Sequence, residues 1–288
     1  NGELTLASIV SYGGKDYRVT TVQGSAFLSC TDIKKLIVPA NIKYIQSGAF
    51  ENCVNMNKLV LAEGEDRLDA ESDAFKNCGI EEVVIGRDLK NSIFRRNIVL
   101  TKVVFGNKIK NIPYEAFYGC SNLSSVDLSN VESIGNGAFA STKLENVEIP
   151  AQLSYLGTSV FSDCTSLTRV SIKANITSIP NGCFQGCSSL SSVEYPASVA
   201  VIGESAFSGC GFTSFKLNGN VTEIQREAFS SCKNLENMEW GNVSLIGFNA
   251  FEDCGFKELS LPASLCDIYM NAFAYCKNLV KVDLSKTN

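Results

Sequence analysis

Twelve cysteines and no histidine define the chemistry open to this 288-residue chain. Without imidazole there is no His general base, no Ser-His or Cys-His nucleophile pair and no histidine-ligated metal. Thiolates alone could hold a metal, but such clusters want ligands two to four residues apart. Only Cys183 and Cys187 approach that spacing. Six carboxylates between Glu63 and Asp73 (with Glu65, Asp66, Asp69 and Glu71) have the ligand type for calcium. They lack the glycine-punctuated order of an EF-hand loop, so a solvated, self-repelling loop is expected. Gly135-Asn136-Gly137-Ala138-Phe139-Ala140 spells a dinucleotide fingerprint without the strand, turn and helix that would make it one. No phosphate-binding loop or nucleophile elbow occurs, and neither enzyme activity nor a cofactor is expected.

Composition narrows the class further. The chain is 45% hydrophobic and 19% charged, too apolar for a disordered segment, and has no apolar stretch of membrane-spanning length. A net charge of −5 removes the general attraction to phosphate backbones, so nucleic acid is not an expected partner. The chain starts at Asn1 and its first methionine is Met56, which implies a processed product with any signal or anchor outside these residues.

The elements that must position these side chains are repeats. Phenylalanine recurs at 27, 50, 75, 94, 117, 139, 161, 184, 207, 229, 251 and 273, about every 22 residues. Alanine precedes it in nine of the twelve units, and cysteine follows three residues later in ten. Five residues before each Phe runs a second apolar ladder, mostly isoleucine, that only Ala70 breaks. A unit this short can bury its apolar positions only against copies of itself, which predicts a solenoid of about twelve repeats with nearest-neighbour contacts. Within each unit L-x-x-V-x-L alternates with period two and predicts one short strand, all strands parallel. The proline that closes it at Pro39, Pro150, Pro196 and Pro262 suits a strand end. The following Ala-Phe-x-x-Cys predicts a tight turn or a single helical turn with Phe inward. Stacked cysteines would then fall inside disulfide Cα range but poorly aimed for bonding. A buried ladder of free, slow-reacting thiols is favoured over disulfides or a metal array.

The segment from Cys187 to Cys210, with Val201-Ile202-Gly203 leading into Ala206-Phe207 and Cys210, resembles the BspA-like leucine-rich repeat family over residues 22–288. The resemblance implies a secreted or surface-attached protein that adheres to host matrix proteins or to other cells. It carries no catalytic or binding motif to transfer. Residues 1–21 precede the repeats: Leu4, Leu6 and Val10, then Gly13-Gly14-Lys15, then Tyr17 and Val19 read as a hairpin that caps the first coil. Around 62–105 the repeats are irregular. The unit ending at Phe75 is lengthened, and the next is cut to 19 residues and reads Ile93-Phe94-Arg95-Arg96-Asn97 in place of Ala-Phe-x-x-Cys. No atypical unit closes the other end before Lys286-Thr287-Asn288, so that edge is either covered by something else or continued.

The outward residue of each strand is the most informative surface position. Along the stack these are Ile37, Val60, Val84 and Val104, then Asp127, Glu148, Ser171, Glu194, Lys216, Glu239, Ser260 and Asp283. The neighbouring outward column begins Lys35, Lys58, Glu82 and Lys102. Four apolar residues rimmed by lysines predict a protein-binding patch, unless β-propensity alone placed them or the hairpin folds over them. A non-enzymatic recognition module, monomeric, binding a host matrix protein or another cell's surface protein is the leading expectation. A structural spacer is the alternative, and glycan binding is disfavoured because Trp240 and Tyr195 fall at inward positions.

Overall fold

Side chains of one repeat are too few to enclose a core, and each coil here closes its core on the coils beside it. The computed structural model describes residues 2–285, so Asn1 and the Lys286-Thr287-Asn288 end lie outside the described residues. The chain forms two units, Asn1–Lys143 and Leu144–Asn288. Each is a parallel β-solenoid, and no helix occurs among the described residues. Eleven of the twelve outward positions named above lie in strands; Asp127 alone sits in irregular chain.

Unit 1 contains β1 (Glu3–Thr5), β2 (Ile9–Tyr12), β3 (Lys15–Arg18), β4 (Thr21–Val22), β5 (Lys35–Val38), β6 (Tyr44–Ile45), β7 (Lys58–Leu61), β8 (Asp69–Ala70), β9 (Glu82–Ile85), β10 (Lys102–Phe105), β11 (Asn111–Ile112) and β12 (Ser133–Ile134). Its main sheet runs β1-β5-β7-β9-β10, all parallel, with the short strands β4-β6-β8 forming a second sheet. The expected N-terminal hairpin is β2–β3, turned by Gly13 and Gly14 at φ of 58° and 75°, angles that favour glycine. Leu4 and Leu6, grouped with the hairpin from sequence, lie outside it. Leu4 pairs with Leu36 in the main sheet and Leu6 is buried. The hairpin therefore interrupts a coil that runs from β1 to β4, and Asn41 Nδ2 holds its base by donating to the carbonyl of Val19 at 2.5 Å.

Unit 2 contains β13 (Asn146–Ile149), β14 (Tyr155–Leu156), β15 (Arg169–Ile172), β16 (Ser178–Ile179), β17 (Ser192–Glu194), β18 (Val201–Ile202), β19 (Ser214–Lys216), β20 (Glu223–Ile224), β21 (Asn237–Glu239), β22 (Leu245–Ile246), β23 (Glu258–Ser260), β24 (Asp267–Ile268) and β25 (Lys281–Asp283). One face carries β13-β15-β17, β19-β21 and β23-β25, and the other carries β16-β18-β20-β22-β24.

Two ladders fill both cores. Phenylalanine rings stack coil on coil, for example Phe27 on Phe50 at 4.9 Å and Phe229 on Phe251 at 5.1 Å, near-parallel in each case. The Ala-Phe-x-x-Cys segment is a tight turn, the non-helical of the two forms expected. It places residues two before and two after the Phe at positive φ, and Ser, Asn, Asp or Gly fills most of these sites. Eight ladder cysteines, from Cys53 to Cys276, donate Sγ–H to the carbonyl of the preceding coil's phenylalanine, as Cys120 does to Phe94 and Cys187 to Phe161, both at 3.1 Å. Nine of the twelve cysteines are buried, Cys30 and Cys78 are half-buried and Cys266 is exposed, so the ladder lies mostly within the core. Burial pushes the Cys120 and Cys232 thiols up to about 12, so little thiolate is present near neutral pH.

The irregular repeats are fastened by other means. Leu68 bridges Leu89, and the fully buried Arg87 reaches back to donate to the carbonyls of Ala40 (2.7 Å) and Pro39 (3.2 Å). The acidic loop does not simply repel itself into solvent. Asp66 pairs with Lys43 at 2.9 Å, Asp69 with Lys90 at 2.6 Å, and Glu65 with Lys108. Lysines from other coils pair with three of its six carboxylates, and no group of metal ligands forms among the described residues.

Candidate interaction face on the parallel sheet

Strand alternation decides which side chains reach this face. In β5, β7 and β9 every second residue is buried, so Leu36, Leu59 and Val83 point inward while Ile37, Val60 and Val84 remain half-buried outside. Parallel pairing in one register sets Ile37 beside Val60, Val60 beside Val84 and Val84 beside Val104. The apolar column is thus continuous over four strands, and Val104 at its end is 38% exposed.

The rim differs from a row of free cations. Lys35 pairs with Glu3 at 3.1 Å, while Lys58 and Lys102 both reach Glu82 at 3.2 Å. Hydrogen bonds from Lys58 and Lys102 hold the Glu82 carboxyl below its usual range. Lys35, Lys58 and Lys102 therefore belong to an ion ladder that locks side chains along the edge of the stripe. On its other side the strands give way to Pro39, Ala62, Gly86 and Gly106, of which Gly86 is buried. Gly86 has no room for a side chain, since a Cβ there would fall 2.5 Å from the backbone nitrogen of Glu63. An ion ladder and an apolar column make up the face.

Two contributors, Glu3 and Thr5, were hidden in the sequence. They extend the ion ladder and the outward column onto β1, with Thr5 beside Ile37. Their Leu-x-Leu spacing matches the other strands, but the inserted hairpin displaces it from the following ladder position. The hairpin itself lies at one end of the face, where Ile9, Asp16 and Arg18 form a cleft with Pro39, Ala40 and Asn41. Of the aromatics, Trp240 is buried and Tyr195 Oη donates to the carbonyl of Lys216 at 3.3 Å.

The equivalent column in unit 2 is polar throughout. Glu148, Ser171 and Glu194 stand side by side, as do Lys216 and Glu239, and Ser260 and Asp283. Ion pairs join many of them to neighbours: Glu148 to Lys173 at 2.7 Å, Glu194 to Arg169 at 2.6 Å and Glu239 to Lys216 at 2.6 Å.

A repeated strand, a repeated turn and a ladder of Leu, Ile and Phe define a leucine-rich repeat protein. The family described as "BspA type Leucine rich repeat region (6 copies)" matches over residues 15–97, 87–212 and 200–288, and the chain belongs to that family. It is similar in fold to a leucine-rich repeat protein from Bacteroides ovatus, with 23% identity, a TM-score of 0.55, and 97% of this chain and 91% of that one covered. A leucine-rich repeat protein from Eubacterium ventriosum is similar at 19% identity and a TM-score of 0.52, covering 88% and 90%. The pneumococcal vaccine antigen PcpA is similar at 17% identity and 0.51, covering 97% and 83%. No curated protein matches the sequence. No helix among the described residues is long and apolar enough to cross a membrane.

Proposed function

We propose that this chain is a non-enzymatic recognition module, secreted or held at a cell surface, that binds a protein partner through the sheet face of unit 1. The single observation behind this reading is the column Ile37, Val60, Val84 and Val104, aligned in register and facing away from the core. Apolar columns at outward positions are what partner-binding patches use, and an ordered polar edge lowers the entropy lost on docking. Membership of the BspA-type family supports a surface role. The partner class is a host matrix protein or another cell's surface protein. A structural spacer is the competing reading, and the polar column of unit 2 favours it for that unit.

The test compares wild type with the triple variant Val60→Glu, Val84→Lys, Val104→Glu on immobilised matrix proteins and on whole cells, after circular dichroism confirms that both are folded. Loss of binding by tenfold or more, about 1.4 kcal/mol, supports the sheet face. Unchanged binding in the variant rejects the sheet face as the site, and no binding by either protein rejects it in favour of the spacer.

A further inference from the structure

A second site, away from the sheet face, arises where the turn ladder of unit 1 opens. In regular coils the N–H groups two residues before the phenylalanine, on it, and two after donate to the next coil. Gly48 donates to Asp73 at 3.2 Å, Phe50 to Ala74 at 2.9 Å and Asn52 to Lys76 at 2.9 Å. The same three donors in the next coil, Asp73, Phe75 and Asn77, meet no acceptor among the described residues. On the facing wall the carbonyls of Ile93 and Arg95 accept nothing. Register explains the opening. Leu68 and Leu89 are bridged, yet seven residues separate Leu68 from Phe75 and five separate Leu89 from Phe94, so one coil runs two residues long. Neither Asp73 nor Ser92 adopts the positive φ of its counterparts Gly48, Glu115 and Gly137. Phe75 stacks on Phe50 and Phe94 on Phe117, but Phe75 and Phe94 do not stack on each other.

The opening is a cleft of about 370 Å³ whose walls include Phe75, Asn77, Phe94 and Arg96, with Ile98 and Val99 at its edge. Donors on alternate residues of one wall and free carbonyls on alternate residues of the other are what an extended chain pairs with. Of the charges at the mouth, the Asp73 carboxylate and the Arg96 guanidinium lack an ion pair among the described residues, and only Arg96 is a cation. Arg95 pairs with Glu115 at 2.7 Å, Lys90 with Asp69 at 2.6 Å and Lys76 with Glu51 at 3.5 Å. Arg96 has no ion pair among the described residues; it is exposed and held at φ +59°, and its guanidinium lies 6.0 Å from the Tyr118 ring. At that turn position ten of the twelve coils use Ser, Asn, Asp or Gly, so a cation there is a departure from what the backbone favours. Exposed Ile98 and Val99 offer apolar contact beside it.

We propose that this cleft binds an extended peptide segment bearing an acidic side chain. The peptide backbone pairs with the N–H groups of Asp73, Phe75 and Asn77 and with the carbonyls of Ile93 and Arg95, and its carboxylate meets Arg96.

The probe is a fluorescein-labelled hexapeptide alternating valine and glutamate, read by anisotropy against the full chain. Saturable binding is expected, at least tenfold weaker for the valine–lysine peptide and for an N-methylated valine–glutamate peptide. Arg96→Gly suits the positive φ, so it stays folded with an equal or higher melting temperature while losing tenfold or more in affinity. The sheet-face variant Val60→Glu binds the probe as wild type does, which separates this site from the face proposed above. Amide hydrogen exchange gives a readout that needs no variant: the bound peptide slows Phe75 and Asn77 and leaves the Gly13-Gly14 turn unchanged. Absence of saturable binding, equal binding of the acidic and basic peptides, wild-type affinity in Arg96→Gly, or unaltered exchange at Phe75 and Asn77 would each overturn the proposal.

Discussion

Unit 1 and unit 2 stack the same phenylalanines through the same turns, yet their outer surfaces diverge. In unit 2 the sheet face is polar and interlaced with ion pairs, and the turn ladder is continuous: Phe161, Phe184, Phe207, Phe229 and Phe251 each donate N–H to the next coil at 2.8–2.9 Å. Unit 1 has an apolar column on its sheet, an inserted hairpin, and a lengthened and a shortened coil side by side. Nearest-neighbour stacking accounts for this freedom. Each coil answers only to the coils beside it, so a surface or a coil length can change locally while the core pattern continues. Regular repeats supply stability, and irregular ones supply surfaces that differ from their neighbours.

The largest expected effect tests that division. Phe184→Ala removes a ring stacked on Phe161 and Phe207 and should cost about 4 kcal/mol in urea unfolding. Phe75→Ala loses only one stacked neighbour, beside a cleft that can collapse, and should cost about 2 kcal/mol. Equal costs would mean that the opened ladder is no weaker than the closed one. Next, Arg87→Ala strands the carbonyls of Pro39 and Ala40 and leaves a void, which should cost about 3 kcal/mol. Arg87→Met refills the volume, so a variant as unstable as Arg87→Ala would show that the hydrogen bonds, and not packing, fasten the long coil.

The smallest effect lies on the sheet edge. Glu82→Gln removes the carboxylate between Lys58 and Lys102 and should lower stability at pH 7 by up to about 1 kcal/mol, as for other surface pairs. The Glu82 carboxyl is held below its ordinary value of 4.5 by hydrogen bonds from Lys58, then Lys102. Its contribution is therefore full above about pH 4.5 and is lost as the pH falls through the lower folded value. Thermal melts of wild type and variant should differ at pH 7 and converge in acid. A difference that persists in acid would assign the effect to packing.

Much of this was legible in the sequence. The phenylalanine and cysteine ladders, the parallel strands and the outward column follow from spacing, because a repeat prints its contacts once per unit. What escaped the sequence was relational. The strand at Glu3–Thr5 was displaced from its repeat position by the hairpin inserted behind it. The acidic loop looked self-repelling because its partners Lys43, Lys90 and Lys108 meet it only after stacking. Lys58 and Lys102 looked like free cations because Glu82, although visible between them, becomes their shared partner only in parallel register. The shortened unit at Phe94 was visible as an irregularity. Its consequence, a coil with unpaired donors, depends on the Leu68–Leu89 bridge, which no spacing announces.

The sulfur-to-carbonyl ladder also bears on how such a chain comes to be folded. Twelve cysteines could be joined on the order of ten thousand ways, and a protein relying on one of those pairings needs an oxidant and an isomerase to reach it. Here eight ladder thiols are placed by stacking and donate Sγ–H to a neighbouring coil's carbonyl, an arrangement that needs no electron transfer to form. Folding can then proceed in glutathione or in air, and Cys266, the exposed cysteine, is left as the thiol most open to an oxidant.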